Sequence, residues 1–325
     1  AFRGQSVLVT GGTGMIGRQI VGMLCDAGAA VKIVSLDDLV VDERAEHVRG
    51  DLTHLDVCLD VTRDMDCVFH VAGIKGSAGV ASTMLATHFV PTLMFNVNVL
   101  HACRENGVKR VVYTSSIGAY ANGEVFKEEE PGDFHDAPMD FAGWAKRMAE
   151  LQIHAYHKQF GLDGYSIVRP SNVYGPGDNF DPKNAMVVGS LMNRIQAGEN
   201  PLSVWGDGSA IRDLVFCRDV AEGCILALHH GTGGRYVNLG SGCGYSTKEL
   251  VETLQQFLDF DFEFDPSKPT GYPKRVMDIS LARELIDYDP TTTLRQGLEE
   301  TWNWFQAHRE EYHNRKNYFA EEATS

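Results

Sequence analysis

Apolar and polar positions follow a regular order through the first half of the chain. Apolar residues at helical spacing, such as Leu93, Val97 and Leu100, alternate with short apolar runs rich in β-branched residues. Strands that alternate with helices indicate an α/β fold built on a doubly wound parallel sheet. The predicted strands cover residues 7–10, 30–36, 48–52, 66–73, 109–116 and 165–170, and the predicted helices cover 18–27, 91–106 and 143–160.

The first predicted strand runs into a glycine-rich turn, Thr10-Gly11-Gly12-Thr13-Gly14-Met15-Ile16-Gly17, and then into a helix. This order is the context that a dinucleotide fingerprint requires, and it favours a cofactor site over a plain structural turn. Gly11 permits the sharp turn, Gly14 lets backbone N–H groups approach a pyrophosphate, and Gly17 lets the helix pack on the strand. The helix N-terminus then offers unpaired N–H donors to phosphate.

The regular alternation ends near residue 172, where Pro and Gly become frequent. A smaller α/β lobe is indicated by a further strand and two helices, over residues 235–239, 247–257 and 293–308. The predicted division is a dinucleotide-binding domain over 1–171, a substrate lobe interleaved with it over 172–310, and a polar tail over 311–325.

Composition and charge narrow the class of protein. The 325 residues carry a net charge of −15, which argues against a nucleic-acid partner, since such partners require basic surface. No apolar run reaches membrane-spanning length and the first residues lack the pattern of a secretory signal, so we expect a cytoplasmic protein without membrane contact. The seven Cys are scattered and indicate buried thiols, and the twelve His show no ligand spacing, so we predict no metal site.

Small and polar residues follow several of the predicted strands. Ligands of doubly wound sheets bind beyond the carboxyl ends of the strands, so these residues outline one active site. They are Gly11, Asp51, Gly73, Ser115, Ser116 and Pro170.

Motifs along nearly the whole chain follow the spacing of one enzyme family. Besides the glycine turn they include Gly50-Asp51-Leu52, His70-Val71-Ala72-Gly73, Thr114-Ser115-Ser116, Trp144-Ala145-Lys146, and residues 169–176 and 206–220. They resemble the extended short-chain dehydrogenase/reductase family, the NAD-dependent epimerase/dehydratase group that modifies nucleotide sugars. The resemblance implies a Rossmann fold and a nicotinamide cofactor. Residues 178–182 and 191–195 look most like GDP-fucose synthase and its relatives, which act on GDP-linked 4-keto sugars or heptoses.

In this family a Ser, a Tyr and a Lys four residues after the Tyr carry the chemistry. Lys146 matches the Lys, and Ser116, with Ser115 beside it, matches the Ser, but Ala142 occupies the Tyr position. Two explanations stay open. The chain is an engineered Tyr-to-Ala variant, or it belongs to a natural branch that uses another acid, a water chain or a slow oxidation.

The resemblance also implies the residues that hold the ligands. The cofactor residues are Gly11, Thr13, Gly14, Met15, Ile16, Gly17, Asp37, Asp51, Leu52, Ala72, Gly73, Lys146 and Pro170, and the sugar-nucleotide residues are Asn172, Trp205, Arg212 and Arg275. Asp37 and Asp38 would repel a 2′-phosphate, so we expect NAD, with NADP left open. A diphosphate calls for guanidinium groups, although Arg212 in a surface ion pair with Asp213 is an alternative.

GDP-fucose synthase epimerises its substrate with a Cys and a His before reduction. The corresponding positions hold Ile117 and Gly118 and, further on, residues 185–187, none of which transfers protons. The resemblance therefore implies oxidation or reduction at C4 of a GDP-linked deoxyhexose or heptose, without C3/C5 epimerisation. A nucleotide-sugar 4-epimerase, a dehydratase with tightly bound NAD and an impaired binding form stay open. Family members often form homodimers through a four-helix bundle, here from residues 91–106 and 143–160.

Overall fold

The computed structural model describes residues 2–76, 83–128, 136–181, 184–268 and 270–310. The helices are α1 (Met15–Asp26), α2 (Leu55–Val61), α3 (Leu85–Glu105), α4 (Phe141–Phe160), α5 (Val187–Gln196), α6 (Cys217–His230), α7 (Thr247–Gln255), α8 (Ser280–Ile286) and α9 (Leu294–Ala307). The strands are β1 (Ser6–Thr10), β2 (Ala30–Ser35), β3 (Glu46–Arg49), β4 (Cys67–His70), β5 (Arg110–Thr114), β6 (Val125–Phe126), β7 (Tyr165–Pro170), β8 (Asn172–Tyr174), β9 (Leu202–Trp205), β10 (Ile211–Arg212), β11 (Leu214–Phe216), β12 (Tyr236–Leu239), β13 (Tyr245–Ser246), β14 (Phe262–Asp265) and β15 (Lys274–Met277). A short 3₁₀ turn, Ile117–Ala119, follows β5.

A seven-stranded parallel sheet forms the centre of the molecule, in the order β12-β7-β5-β4-β1-β2-β3. The side chains of Val7, Leu8 and Val9 in β1 are fully buried, as expected for a parallel sheet that helices cover on both faces. The strand order reverses between β1 and β4, which leaves a crevice beyond their carboxyl ends. The predicted doubly wound sheet is therefore confirmed.

Two long helices, α3 and α4, pack against each other. α3 begins at Leu85, before the predicted start at Pro91, and Pro91 lies inside the helix. At the start of α4, the carboxylate of Asp140 accepts a hydrogen bond from the N–H of Gly143 at 2.7 Å. Gly161 ends α4 in the left-handed conformation, with a φ of 65°. The predicted helix over residues 143–160 is confirmed, with a start at Phe141.

Residues after 172 build smaller sheets and a second apolar cluster. β10 lies between β13 and β15, β15 also pairs with β6, β8 pairs with β11, and β9 pairs with β14. The second cluster includes Phe180, Met192, Leu254 and Phe305. β12 returns to the main sheet beside β7, so the two parts of the chain are interleaved. A domain boundary at residue 171 stays a prediction, and the predicted tail over 311–325 lies outside the described residues.

All seven cysteines are free thiols, and five of them are buried. Within the described ranges, no helix combines the length and the apolar character needed to cross a membrane. No cluster of His, Cys, Asp or Glu in the described part of the chain is arranged to hold a metal ion.

Candidate active site

The glycine turn between β1 and α1 leaves its backbone open to a ligand. Gly11 has a φ of +66°, and a Cβ there would lie 2.7 Å from the Cα of Ala72, just after β4. A Cβ on Gly17 would overlap the carbonyl oxygen of Gly11, so helix and turn pack at backbone distance. Gly14 precedes α1, whose first turn has no side-chain cap and no acidic residue. This cradle of N–H groups at a positive helix end fits the pyrophosphate of a dinucleotide.

Acidic side chains lie beyond the end of β2. The hydroxyl of Thr13 donates to the half-buried carboxylate of Asp37 at 3.2 Å, which holds that carboxylate against the glycine turn. Asp38 is exposed and pairs with Arg49, at the end of β3, at 2.9 Å. Nothing in the linear pattern pointed to Arg49, because it reaches Asp38 from the next strand. Since Asp38 neutralises this cation, the charge around Asp37 stays unfavourable to a 2′-phosphate.

Lys146 lies on α4, and its side chain reaches the ends of β4 and β5. Its Nζ donates a hydrogen bond to the carbonyl oxygen of Thr114 at 2.8 Å and lies 5.3 Å from the ring centroid of Tyr113. A Cβ added to Gly73 would lie 3.9 Å from this Nζ, so the lysine side chain also borders Gly73. Burial of the ammonium lowers the pKa of Lys146 to about 8, against an opposing effect of the Glu150 carboxylate.

The two serines after β5 have different surroundings. Ser115 is buried, and its hydroxyl donates to Oε1 of Glu150 at 2.5 Å. Glu150 is also buried and accepts two hydrogen bonds from Arg169, at 2.8 and 2.6 Å. Ser116 is half-buried at the start of the 3₁₀ turn, and its oxygen accepts from the N–H of Gly118 at 3.1 Å. No acceptor within the described ranges takes the hydroxyl proton of Ser116, so that proton is available to a ligand.

Ala142 lies in the first turn of α4, one helical turn before Lys146 and on the same face. Here α4 approaches the 3₁₀ turn at backbone distance, because a Cβ on Gly143 would overlap the carbonyl oxygen of Gly118. Ser116, Ala142 and Lys146 therefore lie around one place beyond β5. The methyl group of Ala142 neither donates nor accepts a proton, so proton transfer at this place needs another group.

Strand pairing brings Arg212 and Arg275 together, although they are distant in the chain. β10 and β15 run parallel, with Arg212 directly beside Arg275. Arg212 donates to the carbonyl oxygen of Tyr272 at 2.7 Å, while Arg275 stacks on the Tyr272 ring, 4.0 Å from its centroid. Arg275 also donates to the side-chain oxygen of Asn122 at 3.1 Å. Burial lowers the pKa of both arginines, and the charge of Arg275 lowers that of Arg212 further.

The described carboxylates leave this arginine pair without an ion-pair partner. The alternative pair of Arg212 with Asp213 is not formed, because the buried Asp213 carboxylate accepts hydrogen bonds from Ser241 and from the N–H of Met277. Asn172, at the start of β8, donates to the carbonyl oxygen of Asp213 at 3.1 Å. Burial lowers the pKa of Arg275 against an opposing effect of the Asp140 carboxylate, but no described carboxylate is in ion-pair contact with either arginine. Two adjacent, partly buried cations of this kind favour the binding of an anion.

The other predicted residues lie at several places around the sheet. Trp205 ends β9 with 62% of its surface exposed, so it is not a core residue. Asp51 is exposed, and its carboxylate accepts hydrogen bonds from the N–H and hydroxyl of Thr53 at 2.9 and 2.8 Å. Met15 and Ile16 open α1, Leu52 is buried after β3, Ala72 donates its N–H to the Thr10 hydroxyl, and Pro170 ends β7.

Lys75 is a further polar residue of the crevice. Its Nζ donates to Oδ1 of Asp178 at 2.7 Å and to the carbonyl oxygen of Val173 at 3.1 Å. It therefore links the segment after β4 to β8 and the residues that follow it. Lys75 could have been predicted as Gly73 was, because both follow the carboxyl end of β4. Asn122 and Tyr272 do not directly follow a strand of the main sheet, so no sequence pattern indicated them.

The fold and this geometry define a dinucleotide-binding enzyme with a short-chain dehydrogenase/reductase type of site. Residues 7–240 match the model of the NAD dependent epimerase/dehydratase family, and the chain belongs to that family. The match confirms the resemblance drawn from the motifs, and it confirms NAD as the cofactor.

The relatives act on several nucleotide sugars. The chain is 31% identical to dTDP-4-dehydro-6-deoxy-D-allose reductase of a Streptomyces species, over 95% of this chain and 98% of that protein. It is 29% identical to GDP-L-fucose synthase 1 of Arabidopsis thaliana, over 93% and 94% of the two chains. The structure of UDP-glucose 4-epimerase from Thermotoga maritima with UDP-glucose superposes with a TM-score of 0.82, at 25% identity, over 94% of this chain and 99% of that one. The names of these proteins cover three nucleotide bases, and they describe a reductase, a synthase and an epimerase.

Proposed function

We propose that this protein oxidises or reduces C4 of a GDP-linked deoxyhexose or heptose with NAD, without epimerisation at C3 or C5. The observation that carries the proposal is the alignment of Arg212 with Arg275 on neighbouring strands. The diphosphate of a nucleotide sugar supplies the negative charges that two guanidinium groups bind. The likeness of residues 178–182 and 191–195 to GDP-fucose synthase supports GDP as the nucleotide.

In this proposal the cofactor is held at the glycine turn and the neighbouring strand ends. Backbone N–H groups beside Gly14 bind the pyrophosphate, Asp37 accepts from the hydroxyls of the adenosine ribose, and Lys146 donates to the nicotinamide ribose. Bound NAD supplies the transfer of a hydride. The remaining cofactor contacts are Gly11, Thr13, Met15, Ile16, Gly17, Asp51, Leu52, Ala72, Gly73 and Pro170.

The sugar nucleotide lies on the other side of the crevice in this proposal. The exposed indole of Trp205 offers an apolar face to the base, and the amide of Asn172 contacts the sugar or its phosphate. The hydroxyl of Ser116 donates to the oxygen on the reacting carbon, since its own oxygen already accepts from Gly118. Arg212 and Arg275 hold the diphosphate between these two ends.

The absence of C3/C5 epimerisation follows from the residues beside the site. Epimerisation at these carbons requires an acid and a base that remove and return protons bound to carbon. Ile117 and Gly118 lie in the 3₁₀ turn directly after Ser116, and residues 185–187 lead into α5. None of these side chains titrates.

The reaction is tested with the purified 325-residue chain, NAD or NADH, and a panel of GDP-, UDP- and dTDP-hexoses. Denaturing the protein first shows whether it carries NAD from its source. Nicotinamide absorbance then reports hydride transfer, and NMR of the sugar identifies the carbon that changed. We expect turnover with a GDP-sugar and a change at C4 alone. A protein that binds no nicotinamide nucleotide in calorimetry contradicts the proposal.

The diphosphate site is tested with Arg212→Ala and Arg275→Ala. Each loss of a charged hydrogen-bonding partner should weaken sugar-nucleotide binding by about 10–150-fold, equivalent to about 1.5–3 kcal/mol. Arg295→Ala is the matched control, because Arg295 is exposed on α9 and pairs with Glu299. Unchanged KM in both crevice variants would place the diphosphate elsewhere.

A 4-epimerase is the second candidate, supported by the likeness to UDP-glucose 4-epimerase. An epimerase returns the hydride to the sugar, so NMR would show an inverted C4 without net NADH. An impaired binding form would bind NAD and sugar nucleotide without either change. Ala142→Tyr, with Ala142→Phe as the control of equal shape, would then restore turnover only in the tyrosine variant.

We also propose a homodimer through α3 and α4. Both helices expose apolar side chains, and the rings of Phe89 on α3 and Phe141 on α4 meet at 5.8 Å, so the two exposed strips join. Exposed apolar patches of this kind mark protein interfaces.

A further inference from the structure

We propose that Lys146 itself transfers the proton in this enzyme, in the place of the tyrosine that the family pattern puts at residue 142. The proposal rests on the proposed function, because oxidation or reduction at C4 requires a proton to leave or join the oxygen on that carbon. It assigns to one lysine both the contact with the cofactor ribose and the exchange of the proton.

The first support is the geometry around Ala142. Ala142 and Lys146 share one face of α4, and the methyl group of Ala142 leaves no phenol between Lys146 and a ligand. Nζ donates one hydrogen bond to the carbonyl oxygen of Thr114, which leaves two of its three N–H bonds for ligands. Gly73 has no side chain to cover the ammonium from the β4 side.

The second support comes from the other titratable groups that face Lys146, beginning with His70 on β4. The His70 ring is fully buried, with Nδ1 at 2.7 Å from the Thr10 hydroxyl and Nε2 at 3.0 Å from the Asn96 side-chain oxygen. Burial, with the charge of Lys146, lowers the pKa of His70 to about 3. This imidazole is neutral and fully engaged, so it does not exchange protons with a ligand.

The other titratable neighbours of Lys146 are engaged in hydrogen bonds or ion pairs within the protein. The hydroxyl of Tyr113, on β5, donates to the carbonyl oxygen of Lys146 at 3.2 Å, and burial raises its pKa well above the ordinary value. Glu150, on α4, is buried in its ion pair with Arg169. His88, on α3, is buried, its Nε2 lies within hydrogen-bond distance of a backbone carbonyl oxygen at 2.9 Å, and burial lowers its pKa. Asp140, at the start of α4, accepts a hydrogen bond from the N–H of Gly143 at 2.7 Å, and Lys75 is paired with Asp178. Among these groups Lys146 is the one whose contacts leave N–H bonds for a ligand.

The chemistry then balances with Lys146 and NAD alone. During oxidation the neutral amine of Lys146 takes the proton of the C4 hydroxyl, while the hydride on C4 reduces NAD⁺ to NADH and the C4–O bond becomes a carbonyl. During reduction the ammonium returns the proton to the oxygen. Burial supports this role because it brings the pKa of Lys146 to about 8, close to a working pH near neutrality.

The first test needs no turnover. The 325-residue chain without ligand is labelled with acetic anhydride over a range of pH, and mass spectrometry measures acetylation of each lysine. We expect half-maximal reactivity of Lys146 near pH 8 in the folded chain, and at a more alkaline pH after the chain is unfolded in urea, because unfolding exposes the ammonium to water. Equal midpoints for Lys146 in the folded and the unfolded chain would overturn the proposal.

The second test follows hydride transfer in variants of Lys146. Lys146→Ala should slow it by about 10²–10⁴-fold, and added methylamine should restore part of the rate. Lys146→Arg keeps a cation beside the ribose but stays protonated, so it should be as slow as Lys146→Ala while binding NAD with nearly the affinity of the parent chain. A Lys146→Ala variant that keeps its rate, or that methylamine does not rescue, would overturn the proposal.

The experiments distinguish failure of the proposed reaction from failure of the proposal on Lys146. If the parent chain transfers no hydride with any GDP-, UDP- or dTDP-sugar, the proposed reaction is wrong, and the acetylation midpoint decides on Lys146 alone. A midpoint near pH 8 then supports a lysine prepared for proton exchange, and an ordinary midpoint excludes it.

Discussion

Ser115 and Ser116 are neighbours in the chain, yet their hydroxyl groups have different partners. Ser115 donates to the buried Glu150, which Arg169 also binds, whereas Ser116 faces the place shared by Ala142 and Lys146. The hydroxyl of Ser115 therefore completes a buried charged network, and that of Ser116 stays available to a ligand. Both serines match the family pattern, so only their surroundings distinguish their roles.

Alanine substitutions should separate these two roles. Ser115→Ala should lower the free energy of unfolding by about 1–3 kcal/mol, because the buried Glu150 carboxylate loses a hydrogen bond. Ser116→Ala should change stability little but slow hydride transfer by about 10²-fold, as loss of one donor to a reacting oxygen does. Urea unfolding and single-turnover absorbance measure the two effects. Similar losses of stability in both variants, or full activity in Ser116→Ala, would contradict this division.

At the scale of elements, the contact between α4 and the 3₁₀ turn sets the distance between Lys146 and Ser116. The contact depends on Gly143, since a Cβ there would overlap the carbonyl oxygen of Gly118. Gly143→Ala should therefore push α4 away from the turn and lower the free energy of unfolding by about 1–3 kcal/mol. A displacement of about 1 Å in such a site can cost 10²-fold in rate, so hydride transfer should fall by at least that factor.

Gly22, inside α1, is the matched control for this substitution. A Cβ there meets no atom within 4 Å, so Gly22→Ala should raise stability by about 0.5–1 kcal/mol and leave activity unchanged. Thermal or urea unfolding of the two variants, together with their hydride-transfer rates, makes the comparison. If Gly143→Ala behaves like Gly22→Ala, the close packing of α4 on the turn is not required.

The long elements were predictable because their side chains follow a period. β7 has the predicted bounds, and α4 differs from its prediction only at its start. The start of α3 was missed because Pro91 suits the first position of a helix, although here the helix begins at Leu85. Strands of two residues such as β10 have no period, and they form only through pairing with β13 and β15.

Site residues that act through local structure were predictable from the sequence, and those that depend on contacts between distant elements were not. Gly11, Gly14 and Gly17 act through the local turn that contains them, so strand–turn–helix order was enough to identify them. The alignment of Arg212 with Arg275 arises from strands far apart in the chain, and it was expected only through the family resemblance. The choice between Ser115 and Ser116 depends on the burial of Glu150 on another element, which no local pattern reveals.

At the scale of the whole molecule, the apolar strip on α3 and α4 predicts a dimer. Met94 is 44% exposed in the middle of α3, and Trp144 is exposed on α4. Met94→Lys places a charge in the centre of the strip, where a dimer would have to bury it without a partner. Such burial is costly, so the variant should be monomeric under conditions where the parent chain is dimeric, as measured by sedimentation velocity.

Val40→Lys is the control for the dimer, because Val40 is 69% exposed in the loop between β2 and β3 and belongs to neither helix. It adds the same charge and should leave the sedimentation of the dimer unchanged. Lys146 lies on the same helix as Trp144, so a monomeric Met94→Lys variant should also transfer hydride more slowly than the parent chain. A parent chain that sediments as a monomer, or a Met94→Lys variant that remains dimeric, would remove α3 and α4 from the interface.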